Sequence, residues 1–243
     1  MPSHNTADRL VTAARRLQKG LSALRFTTPA AFVYDPLDYA WQPHEIYLRK
    51  FGEVTKRVVF LGMNPGPFGM AQTGVPFGEV TAVRDWLKIE APVGKPPREH
   101  PKRPVLGFAC EKSEVSGRRL WGLFTERFGT AEKFFREHFV VNYCPLAFME
   151  AGGKNLTPDK LKPSEREVLH EVCNAHFAEV VKILKPDWII GVGDFAAKRA
   201  TIVLGQSSVR IGRILHPSPA SPAANRGWEK QAEAQLKESG VWQ

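Results

Sequence analysis

Cysteine is scarce: Cys110, Cys144 and Cys173 are the only three, they stand far apart, and no two form a C-x-x-C pair. An odd, scattered set excludes a disulfide framework and a zinc ribbon, and three thiolates are too few for a standard iron–sulfur cluster. They read as buried small hydrophobes in a reducing compartment. Long apolar runs are missing too. None approaches the roughly 18 residues that suggest a membrane span, and no continuous apolar stretch follows the first charges, so neither a membrane protein nor a secretory signal is expected. The expected location is intracellular, in the cytoplasm or nucleoid of a bacterium or the nucleus of a eukaryote. Acidic residues are in deficit: 25 Asp and Glu face 34 Lys and Arg, a net charge of +9, with an isoelectric point near 9.6. Anions are attracted over about 8 Å, the Debye length at physiological salt. Nucleic acid is the first candidate partner, and a merely soluble basic protein is the alternative.

What the chain does contain is enough for a core. Its 243 residues are 43% hydrophobic and 10% aromatic, which suits one globular α/β domain spanning 1–243. Four short apolar runs form the skeleton: Arg57 to Gly62, His138 to Asn142, Asp187 to Gly193 and Val209 to His216. The first three are continuous, as in strands covered on both faces, and the fourth alternates, as in an edge strand. Helical spacing marks Thr6 to Leu24, Arg118 to Phe128, Ser164 to Leu184, Phe195 to Leu204 and Trp228 to Glu238. Alternating strands and helices predict an α/β fold with a mostly parallel sheet between helical layers. Glu90 to Pro104, rich in Pro, Lys and Arg, reads as an exposed excursion.

In such sheets ligands bind beyond the carboxyl ends of the strands. Three runs end there on a neutral hydrogen-bonding side chain, with proline close behind: Met63-Asn64-Pro65-Gly66-Pro67, Asn142-Tyr143-Cys144-Pro145 and His216-Pro217-Ser218-Pro219. Proline and glycine make the first a rigid turn that a ligand can approach closely. Each polar residue alone has a structural alternative: an Asn-Pro turn, a strand-end amide satisfying backbone, a histidine capping the sheet. Met70 and Phe77 supply either the walls of a flat apolar slot or core packing. Gly69 to Gly78 is expected to be flexible at its ends.

The segments Gly62-Met-Asn-Pro-Gly-Pro-Phe-Gly-Met-Ala-Gln-Thr-Gly-Val-Pro-Phe-Gly78 and His216-Pro-Ser-Pro-Ala-Ser-Pro-Ala-Ala-Asn-Arg-Gly-Trp228 resemble two long motifs of the single-strand-selective monofunctional uracil-DNA glycosylases. Asn142-Tyr-Cys-Pro-Leu and Gly152-Gly-Lys-Asn-Leu-Thr-Pro-Asp159 look like further segments of that family, in the same order. The resemblance implies the uracil-glycosylase fold, a three-layer α/β/α arrangement around a four-stranded sheet. It implies that Asn64 positions the attacking water and His216 stabilises charge on the departing base, that Asn142 pairs with the base edge and Phe77 stacks on it, and that Met63 and Gly66 line the pocket. The second motif departs from the vertebrate pattern at Ala220 and Ser221, where bulkier polar residues are usual.

The chemistry suits these assignments. An Asn142 amide donates to uracil O4 and accepts from N3–H, whereas cytosine would leave groups mismatched at about 1–3 kcal/mol each. Asn64 does not titrate usefully, so it orients water by hydrogen bonds. The loops after runs one and four contain no lysine, consistent with a water nucleophile. DNA contacts are expected from Pro217, Ser218, Pro219, Ala220, Ser221, Asn225 and Arg226, a proline-stiffened inserting loop, and from Lys154, Asn155, Thr157 and Lys160. Lys162 and Arg166 add charge around a helix start expected at Thr157-Pro158, whose N–H groups would face phosphate. The expected partner is damaged DNA, duplex or single-stranded, met by a monomer with no cofactor and no metal.

Overall fold

The computed structural model describes residues 5–243, so the first four residues of the expected 1–243 domain lie outside it. In chain order the elements are α1 Thr6–Ser22, β1 Phe32–Tyr34, α2 Pro36–Tyr39, α3 Trp41–Phe51, β2 Val58–Gly62 and α4 Met70–Thr73. There follow α5 Val115–Phe128, α6 Ala131–Phe135, β3 His138–Asn142, β4 Ala147–Met149, β5 Asn155–Leu156 and α7 Pro163–Leu184. The chain closes with β6 Trp188–Val192, α8 Asp194–Leu204, β7 Arg210–Ile214 and α9 Trp228–Glu238.

All four apolar runs are strands of one parallel sheet in the order β3-β2-β6-β7. Both β2 and β6 are buried along their whole length, which is why their sequences do not alternate. At one edge β7 keeps Arg210 and Arg213 in solvent, hence its alternation. One helical layer holds α1, α3, α7 and α8, which meets the sheet mainly through α8; the other holds α5, α6 and α9. Phe60 of β2 packs against Phe124 of α5 and Phe134 of α6, tying that layer to the sheet. The fold is the expected three-layer α/β/α arrangement.

Helix starts differ from the periodicity reading where a cap or a proline decides them. Helix α5 begins three residues before the expected Arg118, because the Glu114 side chain accepts from the Ser116 and Gly117 N–H groups. The helix start expected at Thr157-Pro158 is a correction: Pro158–Lys160 is a single 3-10 turn, and α7 begins at Pro163, whose fixed φ suits a first helical turn. Too short to aim a row of N–H groups at phosphate, that turn also pairs Lys160 with Asp159 at 3.1 Å.

A second sheet went unforeseen. Its strands β1, β4 and β5 are antiparallel, pair Phe32 with Met149 and Met149 with Asn155, and share a small apolar cluster of Tyr34, Ala71, Val105, Ala147 and Met149. The Glu90 to Pro104 excursion lies against it, with His100 buried and its N–H donating to the Tyr34 hydroxyl. Gly69 to Gly78 is packed and not loose at its ends: α4 is wholly buried, and no residue from Gly69 to Gly78 is exposed. All three cysteines are buried. Among the described residues no helix is long and apolar enough to cross a membrane.

Candidate active site

From β2 the chain runs to β3 on one side and later to β6 on the other, which makes the carboxyl end of β2 a topological switch point. The loops there enclose a cleft of about 520 Å³. Of the residues expected from sequence, Met63, Asn64, Gly66, Phe77, Asn142, Asn155, Thr157, His216, Ser218, Pro219, Ala220 and Ser221 line it. Lys154, Lys160, Asn225 and Arg226 are exposed and do not line it, and Pro217 is buried. Pro65, Gly69, Met70, Glu114 and Ser116 complete the lining.

Two glycines let the polar groups meet. Gly62 and Asn142 are paired across the β2–β3 register. A methyl group on Gly62 would strike Asn142 Oδ1 and come within 2.5 Å of the Phe77 ring, so only glycine allows amide and ring to close over the strand end. Gly193, just beyond β6, has φ +92, and a methyl group there would press on His216 Cβ at 3.1 Å. Phe77 itself holds a left-handed backbone, φ +52, uncommon for a bulky residue. Its carbonyl is clamped by the Trp121 indole N–H at 2.9 Å and the Glu79 N–H at 2.7 Å. Such strain persists where surroundings over-determine it.

The Asn64 amide is anchored from one side. Its Nδ2 donates to the carbonyls of Leu146 at 3.2 Å, Pro65 at 3.3 Å and Leu156 at 3.5 Å. Three carbonyls can face only the NH2 group, which fixes the amide orientation. Its Oδ1 is buried and has no hydrogen-bond partner. Leaving such an acceptor unsatisfied costs about 1–3 kcal/mol, so it is poised to accept a hydrogen from whatever enters.

At His216, Nδ1 accepts the Ser218 backbone N–H at 3.1 Å. The ring proton therefore sits on Nε2. Burial holds the imidazole below its ordinary pKa, so the ring is neutral near pH 7 and Nε2–H acts as a neutral donor. Asn142 Nδ2 meets only the Met70 thioether, 3.4 Å away and a weak acceptor, so its amide remains free for a stronger partner.

Sequence reasoning missed Glu114 and Arg119. The Glu114 side chain caps α5 with its Cγ 3.0 Å from a methyl group built on Gly69, and burial pushes its carboxyl up against the pull of two backbone N–H groups. The signal was a carboxylate just before a helix, hidden by placing the start at Arg118. Arg119 Nη1 donates to the Pro217 carbonyl at 3.0 Å and Nη2 to Asn225 Oδ1 at 2.9 Å, bracing the whole 217–225 loop against α5. Asn225 in turn donates to the Pro219 carbonyl at 2.9 Å. Among the described residues no three His, Cys, Asp or Glu side chains stand together as a metal site.

The arrangement offers an oriented acceptor, a neutral donor and an amide that reads a hydrogen-bonding edge, closed by an aromatic ring. Residues 49–238 match the model of the uracil DNA glycosylase superfamily. The chain is 50% identical over 228 residues to the single-strand selective monofunctional uracil DNA glycosylases of Mus musculus and Bos taurus, covering 93% of this chain and 82% and 84% of theirs. The rat protein of that name, from Rattus norvegicus, is also 50% identical over 228 residues. In fold the chain is similar to the crystal structure of wild-type SMUG2 from Pedobacter heparinus, with a TM-score of 0.70 at 18% identity over 98% of this chain and 97% of that one.

Proposed function

The chain belongs to the uracil DNA glycosylase superfamily and is a monofunctional uracil-DNA glycosylase of base excision repair, and within that activity we propose how its cleft works. A uracil nucleotide leaves the stack, at a few kcal/mol, and its base enters between Phe77 and the Asn142 amide. Asn142 donates to O4 and accepts from N3–H; a cytosine would confront the amide with the wrong donor and acceptor.

As the bond to the sugar lengthens, electrons move into the base and negative charge gathers near O2. The Nε2–H of His216, at the cleft wall and left free by the Ser218 contact to Nδ1, acts there as a preorganised donor. Because the ring is neutral, it stabilises this charge by a hydrogen bond and not by proton transfer. Asn64 Oδ1 accepts a hydrogen of the attacking water, placing the oxygen against the sugar carbon as positive charge develops there. The base departs as its anion, water adds to the sugar carbon, and the water's proton is lost to solvent, leaving an abasic site. The observation that carries this reading is the buried Oδ1 of Asn64, whose amide nitrogen is fully engaged elsewhere.

The enzyme acts as a monomer on damaged DNA, duplex or single-stranded, wherever the genome lies: the nucleus in a eukaryote, the nucleoid in a bacterium. Pro219 and Ala220 are exposed at the loop tip, small enough to enter a duplex without filling the space a base leaves. Arg226 and Lys154 are exposed cations suited to phosphates, Lys160 would have to leave Asp159 to join them, and Asn155 and Thr157 offer polar groups at the rim. Gly66 leaves open space at the cleft wall: a methyl group built on it meets nothing within 4 Å, which is compatible with bases larger than uracil. A panel of oligonucleotides, each carrying uracil, a 5-substituted uracil, xanthine or hypoxanthine, tests the proposal after alkali treatment. Cleavage at uracil and at the 5-substituted base is expected; no cleavage at any lesion would refute it.

A further inference from the structure

The excursion before α5 carries charge that the cleft described above does not use. Residues 95–112 contain Lys95, Arg98, Lys102, Arg103 and Lys112 against Glu99 and Glu111. Lys95 pairs with Glu99 at 3.3 Å; among the described residues the other four cations make no ion pair. Arg103 and Lys112 both stand over the ring of Phe68, their charged groups 5.2 and 5.1 Å from its centre. Phe68 sits between Gly66 and Gly69, which line the cleft, and Lys112 is two residues before Glu114, which also lines it. The cations therefore flank the mouth.

Their placement is fixed by a buried side chain. The Gln72 amide donates to the carbonyls of Pro67 at 2.8 Å and Pro104 at 3.0 Å, and accepts from the N–H groups of Leu106 at 2.7 Å and Gly107 at 3.1 Å. With all four of its hydrogen-bonding positions used, it ties the turn carrying Phe68 to the segment carrying Arg103. Arg103 Nε also donates to the Gly153 carbonyl at 3.0 Å, in the loop that brings Asn155 and Thr157 to the cleft. An aromatic face holds a cation in place without cancelling its charge, as a carboxylate would.

Resting on the glycosylase reading, we propose that Phe68, Arg103 and Lys112 form a clamp for the phosphodiester backbone of the damaged strand just beyond the flipped nucleotide. Phe68 positions the two cations and the cations meet the phosphates. Unlike an inserting loop, this clamp needs one strand only. It gives the enzyme a hold on DNA that has no complementary strand.

The test uses the full-length protein and two single-stranded substrates with a central uracil, a trinucleotide and a long oligonucleotide. The wild type should prefer the long strand in kcat/KM, and Arg103→Gln/Lys112→Gln should lose about tenfold of that preference, the scale of two exposed charge contacts. The deciding readout is salt. The log–log salt dependence of binding to the long strand should become shallower by about 1.4, two contacts at roughly 0.7 each. An unchanged slope overturns the clamp. A wild type that excises uracil from neither substrate would instead refute the glycosylase reading. Since Arg103 also holds Gly153, the exposed Lys112→Gln variant stands as a check that does not depend on that contact: about half the slope change supports the clamp, and none overturns it.

Discussion

In the loop from Met63 to Gly78 the polar groups are tied to other parts of the fold, whereas the loop from His216 to Arg226 is tied mostly to itself. Asn64 hangs from carbonyls of Leu146 and Leu156, Gln72 from the 104–107 segment, Gly74 from His44, and Phe77 from Trp121. In the second loop Ser218 holds His216 and Ala220, Ser221 holds Ala224, and Asn225 holds Pro219; Arg119 and Gln231 are the side chains from outside that reach in. The first loop has no exposed residue, while the second exposes Pro219, Ala220 and Pro222. Water must be placed to within a fraction of an ångström, so its holder is built into the framework. A loop that enters DNA must yield, so it is anchored at few points.

The comparison can be broken in several ways. His216→Ala removes a donor aimed at developing charge and should lower the single-turnover excision rate about 10²–10³-fold with the fold intact. Gly62→Ala should damage the framework instead: its methyl group strikes Asn142 and Phe77, so thermal unfolding should show roughly 1–3 kcal/mol of destabilisation. Gly66→Ala, in open space four residues on, should leave the melting temperature near that of the wild type. Arg119→Ala frees the second loop from α5 and should weaken uracil excision from duplex by about tenfold, consistent with loss of charge-assisted hydrogen bonds, and from single strands by less. Equal losses on both substrates would mean that the loop serves the pocket and not the duplex.

Acid should act on the framework first, through a smaller effect. Burial holds His44, His138 and His176 at pKa values of about 4. A histidine depressed from about 6.5 lends stability that is whole above that value and is lost as pH falls toward 4. Asp35, raised to about 7 by burial, works the other way, since its contribution grows as pH falls below 7. With His170, also held at about 4, four depressed histidines stand against two raised carboxyls, Asp35 and Glu114, so the melting temperature should drop between pH 6.5 and 4. His44, whose Nδ1–H donates to the Gly74 carbonyl, sets one of these buried histidines against the end of the first loop.

The sheet was legible because its central strands β2 and β6 are runs buried along their whole length and the edge strand β7 alternates, patterns that very short antiparallel strands lack. Strands β1, β4 and β5 are two or three residues long, too short for any periodicity, and β1 pairs with β4 across more than 100 residues of chain. Strand ends brought Asn64, Asn142 and His216 to notice, and the cleft contains all three. Gln72 and Arg119 stayed hidden because each acts on backbone groups far away in sequence, and Glu114, a local cap, because the helix start was placed at Arg118. Helix α7 was read to within one residue of its start, while Thr157-Pro158, which carries the same proline signal as Lys162-Pro163, opens only a 3-10 turn.

The division of labour between Asn64 and His216 is the centre of this account, and Asn64→Ala tests it most directly. Single-turnover excision from a uracil-containing oligonucleotide and the dissociation constant for the same DNA should be measured together. The rate should fall on the order of 10³-fold, since positioning of the nucleophile is lost, while the dissociation constant changes little. An unchanged rate, or a loss of binding as large as the loss of rate, would contradict the role of Oδ1 as the acceptor that orients water.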